Sequence, residues 1–306
     1  MTIALRALES ADLSLARELL AAACPATGAA EVAAEKLFGP APDPGGAPLK
    51  SEVYGAFDPT GMAGLVVASA QWVRLLAVRP DARGQGIGTV LLAAAESAIS
   101  ATGATGARTL DQPGNYLAPG ISADDPDTVG WLDRRGYRVV ASNCNLLVDV
   151  AGNPRVTAAR SAALDRALAA AGSRVRRAAA ADRAHLSTAI AAAFSPAWAF
   201  EVDRALEHRP AGVHLALDAG GALAGFAAHD GNNQGLGWFG PAGTLPEHRR
   251  RGLGEALLLR CLLDVAAAGH ARCTIAWIGP REFYQRSAGI VDEHHFVVLR
   301  KDLASP

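Results

Sequence analysis

Hydrophobic and polar positions follow two periods along this chain, and the order in which the periods succeed one another occurs twice. In the first half a short extended run at residues 3–5 precedes residues 11–22, whose apolar side chains recur at helical spacing, with Ser10 and Asp12 as candidate caps. Residues 39–48 are rich in Pro and Gly and predict a loop. Residues 52–57 and 63–70 alternate with period two around Asp58-Pro59-Thr60-Gly61, which is a hairpin pattern. Residues 72–78 continue as a strand, and residues 86–100 place Ile87, Leu91, Leu92 and Ala95 on one helical face. A strand at 107–110, a helical turn at 130–135 and a last strand at 137–150 follow. The Gly-, Pro- and Asp-rich stretch 113–127 between them predicts a long loop, a candidate lid over a substrate or between domains.

The second half repeats this order. Residues 155–171 form an alanine-rich helical stretch after the boundary at 151–154. A strand at 175–178, helices at 182–194 and 197–208, and strands at 213–217, 223–229 and 236–244 come next. A helix at 252–268, a strand at 272–278, a short helix from Arg281 and a strand at 296–303 complete it. Repetition over about 150 residues reads as duplication rather than a solenoid. The expected domains are therefore 1–150 and 173–306, joined by a connecting helix at 151–172.

Each half carries the same loop between a strand and its long helix. The first runs Val78-Arg79-Pro80-Asp81-Ala82-Arg83-Gly84-Gln85-Gly86-Ile87-Gly88, and the second Thr244-Leu245-Pro246-Glu247-His248-Arg249-Arg250-Arg251-Gly252-Leu253-Gly254. Glycines at a helix mouth let backbone N–H groups converge on an anion, and the positive end of the helix dipole adds to them. An arginine brings a permanent charge beside a pyrophosphate. Neither copy ends in Gly-Lys-Ser/Thr, as a Walker loop would, and neither fits Gly-x-Gly-x-x-Gly.

The strings "AVRPDARGQGIGTVLL" and "GTLPEHRRRGLGEALLL" resemble the acetyl-CoA loop of the GNAT superfamily of N-acetyltransferases, written Arg/Gln-x-x-Gly-x-Gly/Ala. The resemblance covers nearly the whole chain as two tandem domains. It implies an α/β (α+β) fold in each, a splayed mixed sheet flanked by helices, with coenzyme A in a V between two strands. Carried onto this sequence, it implies that acetyl-CoA is held by Ala77, Val78, Arg83, Gly84, Gln85, Gly86, Gly88 and Thr89 in the first half. In the second half the same reasoning gives Gly243, Thr244, Arg249, Arg250, Arg251, Gly252, Gly254 and Glu255.

Acetyl transfer to an amine needs a proton acceptor for the amine, a polarised thioester carbonyl and an acid for the departing thiolate. The superfamily usually puts a tyrosine in the last role. "GPREFYQRSAGI" places Tyr284 there in the second half, whereas "VGWLDRRGYRV" places Leu132 at the matching point of the first. The resemblance thus implies a catalytic second domain and a first domain that is non-catalytic or degenerate, either able to bind acetyl-CoA without turnover or holding a decayed copy of the site. Glu201 is the candidate base, with Asp203, His229, Asp230 and His248 as further candidates. Trp238, Phe239 and Trp277 would suit a wall against a sugar ring, and a related bacterial subgroup of tandem proteins includes amino-sugar acetyltransferases. The acceptor class is a small-molecule primary amine. The alternatives left open are a non-catalytic acetyl-CoA-binding protein and a protein N-acetyltransferase.

Bulk properties bound the rest. Half of the 306 residues are apolar and 19% are charged, so the chain is expected to fold into domains with cores of their own. Net charge is −1, without the basic stripe of a nucleic-acid binder. No signal-peptide pattern and no apolar run near the length of a membrane span is present. Cys24, Cys144, Cys261 and Cys273 lack Cys-x-x-Cys spacing, and free thiols in a cytoplasmic protein are expected. Adjacent His294 and His295 with Asp292 and Glu293 read as a polar turn, and no metal is expected. A monomer or homodimer is the expected assembly.

Overall fold

The computed structural model describes residues 3–43 and 45–303, and within them two compact units, each a mixed sheet with helices on its faces. The first unit comprises residues 3–43, 47–143 and 295–303; the second comprises 45–46 and 144–294. In chain order the elements are β1 (Ala4–Ala7), α1 (Leu13–Ala23), α2 (Ala33–Phe38), β2 (Ala41–Pro42), β3 (Pro48–Leu49), β4 (Glu52–Asp58), β5 (Gly61–Ser69), β6 (Trp72–Val78), α3 (Ile87–Ala101), β7 (Gly106–Thr109), β8 (Ile121–Ser122), α4 (Pro126–Asp133) and β9 (Arg138–Asp149). Then come α5 (Ala158–Ala170), β10 (Arg174–Arg177), α6 (Arg183–Ala193), α7 (Pro196–Ala205), β11 (Val213–Leu217), β12 (Leu223–His229), β13 (Trp238–Thr244), α8 (Leu253–Ala267), β14 (Arg272–Ile275), α9 (Arg281–Ser287) and β15 (Asp292–Asp302).

The units do not run in chain order. Residues 146–149 of β9, which the sequence suggests as the end of the first domain, pair with β14 in the second unit. The chain's last strand, β15, pairs with β7 in the first unit. The first sheet therefore reads β1-β4-β5-β6-β7-β15, and the second β10-β11-β12-β13-β14-β9. All neighbouring pairs within these two orders are antiparallel except β6–β7 and β13–β14, which are parallel.

The long helices form where apolar residues recur every three to four positions. In α3, Ile87, Leu91, Leu92, Ala95 and Ile99 are buried against Val66, Val73 and Leu299. In α8, Leu253, Leu257, Cys261, Leu262 and Val265 bury the same stripe against Ala216, Ala227 and Phe239. The opposite face of the second sheet carries Leu215, Phe226 and Ala228, covered by Leu186 and Ile190 of α6 and Val202 of α7.

Departures from the expected elements have local causes. The helix α2 lies in a stretch too short and too mixed to show a period. The long 113–127 stretch is exposed only in its second part: Asn115, Tyr116 and Leu117 are buried, as is neighbouring Gln112, while residues 123–127 are exposed. Asn115 donates to the carbonyls of Glu35 and Pro40 and accepts from Lys36 at 3.0 Å, which explains how irregular backbone is tolerated inside. The four cysteines are free thiols.

Candidate functional site

The two loops fold alike down to single hydrogen bonds. In each, a turn of 3-10 helix starts at the proline, followed by an extended arginine: Arg83 at φ −66°, ψ 159° and Arg249 at φ −67°, ψ 160°. Nε of Arg83 donates to the Val78 carbonyl at 3.2 Å, and Nε of Arg249 to the Thr244 carbonyl at 3.1 Å. Gln85 donates to the Asp81 carbonyl, as Arg251 does to that of Glu247. The arginines that sequence suggested as direct partners of a phosphate thus also brace the loop against its own strand.

Two positions in each loop have left-handed backbone. Gly86 (φ 83°) and Gly252 (φ 82°) are the N-caps of α3 and α8; two residues earlier, Gly84 has φ 75° and Arg250 has φ 60°. Arg250 adopts a conformation that side chains other than glycine rarely take, so the second loop keeps its shape against a local cost. The consequence is the same twice. The N–H groups of Gly84, Gln85, Gly86, Ile87 and Gly88 find no acceptor among the described residues, nor do those of Arg250, Arg251, Gly252, Leu253 and Gly254. Five successive free donors at the positive end of a helix form an anion cradle.

The strand entering each loop parts from its parallel neighbour. The β6–β7 ladder holds only at Trp72↔Arg108 and Val73↔Thr109; the β13–β14 ladder holds only at Trp238↔Thr274 and Phe239↔Ile275. From there to Val78 and to Thr244 no strand among the described residues pairs on that side, which leaves an open edge, a slot about 17 Å long at 3.3–3.4 Å per residue. The arrangement suits a long thin arm tied to a diphosphate. At the vertex β6 and β13 each carry one extra residue relative to their antiparallel partners, at Arg74 and within Gly240-Pro241. Ala77 and Gly243 lie along the slots beside Val78 and Thr244.

An aromatic residue closes each helix mouth. A Cβ on Gly88 would stand 3.3 Å from the ring of Trp131, and one on Gly254 would stand 3.7 Å from the ring of Phe283. The next residues are Leu132 in α4, fully within the first core, and Tyr284 in α9. Tyr284 lies edge-on to Phe283 (5.0 Å between centroids) and to Phe239 (6.3 Å), the residue at which β13 and β14 separate. Burial pushes its phenol up to about 12, so it stays protonated at neutral pH. Its hydroxyl makes no hydrogen bond to a described residue.

Two family models match the chain: "Acetyltransferase (GNAT) domain" over residues 50–132 and "Acetyltransferase (GNAT) family" over residues 183–290. The chain belongs to the GNAT acetyltransferase family, as a tandem enzyme. Each match contains one loop and one slot. Among solved structures it is similar to a GCN5-related glucosamine N-acetyltransferase region in a fungal multi-domain GH3 β-N-acetylglucosaminidase (15% identity, TM-score 0.71, covering 98% of this chain and 38% of that one). It is also similar to a GCN5-related N-acetyltransferase from Sphaerobacter thermophilus (20%, TM-score 0.68, 98% and 95%) and to a tandem GNAT protein from the clavulanic acid biosynthesis pathway (17%, TM-score 0.66, 98% of each). The chain spans well under half the length of the fungal protein. At these identities the likeness establishes the fold. No curated protein matches the sequence. No helix among the described residues is long and apolar enough to cross a membrane.

In this GNAT protein the remaining candidates come from elements other than α9, and of them Phe239 meets Tyr284. Glu201 is buried on α7, beside the β12–β13 loop, where a Cβ on Gly231 would meet its carbonyl oxygen at 2.4 Å. Asp203 is engaged by Arg183 of α6. His229 and Asp230 belong to a buried network on the α8 face, with Asp264, His214 and Arg177. Phe239 is buried, and the Trp277 N–H donates to Asn145 Oδ1 at 2.8 Å. Two groups escaped the sequence reading because they come from outside the loops. Arg135 of the first unit donates to Thr89 Oγ1 at 2.7 Å while lying 4.0 Å over the Trp131 ring. Arg160 of α5 pairs with Glu255 and donates to the Ser287 carbonyl at 2.6 Å.

Proposed function

We propose that the protein transfers the acetyl group of acetyl-CoA to a primary amine of a small molecule by direct attack in a ternary complex, and that the second unit does the chemistry. The carrying observation is the difference between two otherwise matched frames: Tyr284 stands where Leu132 stands in the first unit. A protonated phenol beside the fork is suited to hand its proton to the departing thiolate, and an alkyl side chain has none to give. The first unit offers little room for an acceptor. Arg74, buried at its fork, donates to Ser51 Oγ and to the Asn115 carbonyl, and Gln112, Tyr116 and Leu117, flanking Asn115 in sequence, are buried as well. The free donors and slots in both units fit acetyl-CoA, held by 83–89 and 249–254; when bound, it supplies the activated acetyl group. Glu201 is the base we assign to the amine, because it is a buried carboxylate on the helix that frames the acceptor side.

An amino sugar is the first amine to test. The fungal relative's region is a glucosamine N-acetyltransferase, and Phe194 and Trp198 stack at 5.4 Å beside β13 as a flat apolar wall. The experiment incubates purified protein with acetyl-CoA and a panel of amines and reads free coenzyme A. Turnover with an amine, lowered about 10²–10⁴-fold in kcat by Tyr284→Phe with coenzyme A affinity retained, is the expected result. Arg83→Glu should leave turnover within a few-fold. Loss of activity in Arg83→Glu with Tyr284→Phe intact would reverse the assignment of the units. Tight acetyl-CoA binding without thiol release from any amine would mean a binding protein.

A further inference from the structure

The third residue of each loop helix receives a guanidinium, although neither donor element nor acceptor residue is shared. In the first unit Arg135 comes from the segment after α4 and rests on neutral groups: Thr89 Oγ1, the Trp131 carbonyl and the Trp131 ring. No carboxylate among the described residues pairs with it. In the second unit Arg160 comes from α5 and is paired with a carboxylate, Glu255, while its other nitrogen holds the Arg155 and Ser287 carbonyls. A cation at the positive end of a helix is out of place unless an anion is meant to join it. Arg160 already has an anion in Glu255, whereas Arg135 has none among the described residues; both contact the residue that follows the five free N–H donors, so a phosphate held by those donors is the anion each can also meet.

Resting on the cofactor placement above, we infer that Glu255 is a built-in competitor of the cofactor's phosphate, and that with Arg160 it sets how readily the second unit releases spent coenzyme A. The second loop has the stronger pull on a phosphate, with Arg249, Arg250 and Arg251 where the first has Arg83, Gly84 and Gln85. A turnover site built that way needs a counterweight. The Glu255 carboxylate repels the incoming phosphate and occupies Arg160; leaving phosphate returns Arg160 to it. Thr89 has no charge, so Arg135 remains available to a phosphate and the first unit has no such release device.

The test is calorimetry and stopped-flow dissociation with coenzyme A itself, on the full chain with the first loop disabled by Gly84→Asp, a residue that tolerates left-handed backbone. Glu255→Gln should tighten binding about three- to tenfold at low salt, less at high salt, through a slower off-rate. Adding Arg160→Gln should cancel the gain. The converse substitution, Thr89→Glu, with the second loop disabled by Arg250→Asp, should weaken the first site by a similar factor. A Glu255 that merely caps its helix would change the melting temperature and leave the dissociation constant unaltered or weaker, and that result overturns the inference. If the Gly84→Asp chain binds no coenzyme A at all, the placement of the cofactor falls with it.

Discussion

His229 shows how far a single side chain can be shifted by what surrounds it. Burial alone would favour the neutral ring, but Asp230 at 3.2 Å and Asp264 at 3.3 Å outweigh it and push the group up to about 8. The same carboxylate accepts from His214 at 2.7 Å and from Arg177 at 2.6 Å, and these partners hold Asp264 far below the usual carboxylate range despite its burial. His214, by contrast, is held down, chiefly by its own burial. The sign follows from His229 gaining its proton more readily folded than unfolded. Its contribution, about 2 kcal/mol for a shift from about 6.5 to about 8, is fully present below pH 6.5 and lost as pH rises through 8. Urea denaturation of the wild type and His229→Gln at intervals from pH 6 to 9 checks this. The wild type should lose stability across that window and the variant should not; parallel curves would mean that the ion cluster does not hold the proton.

At the scale of elements, close approach explains residues that sequence marked for another reason. Gly243 was expected at the cofactor, and it lies in β13 along the slot, yet a Cβ there would also stand 2.4 Å from the Phe194 ring. Phe194 cannot yield cheaply, being stacked on Trp198 and edge-on to buried Phe226 at 5.3 Å. Gly243→Ala should therefore cost about 1–3 kcal/mol by overpacking. Combined with Phe194→Ala the loss should be smaller than the sum of the two, measured by chemical denaturation as a double-mutant cycle. Additive losses would show that the two elements do not press on each other. What was legible here was local. The strand–loop–helix units were readable because turn chemistry and apolar period lie in adjacent residues, and strands 213–217 and 223–229 match residue for residue. What was not legible depends on distant partners: the burial of 112–117 depends on Lys36 and Arg74, and the arginines at Thr89 and Glu255 come from positions 135 and 160. Period and composition carry no information about such meetings.

For the molecule as a whole, the decisive feature is that its first unit is completed by a segment remote in sequence. Residues 295–303 finish the first sheet: Arg300, Lys301 and Asp302 pair with Arg108, Ala107 and Gly106, about 190 positions away by chain separation, a contact of very high order. Leu299 is 1% exposed in the first core, its N–H donates to Thr109 Oγ1 at 3.0 Å, and that hydroxyl donates to the Leu299 carbonyl at 3.3 Å. Lys301 reaches Glu96 of α3 at 2.7 Å. Removing the chain from His295 onward would turn β7 into an edge strand, open the core beneath α3 and orphan the Thr109 hydroxyl. The damage should therefore fall on the unit formed mainly by the other end of the sequence. Hydrogen exchange on such a truncated protein should show amides of β7 and α3 losing protection while β11 and β12, which ladder only with neighbours inside residues 144–294, keep theirs. Protection lost equally in both units would mean that they unfold as one cooperative body. Protection kept in β7 would mean that the first sheet closes without its borrowed strand, and that the exchange of strands is dispensable to the fold.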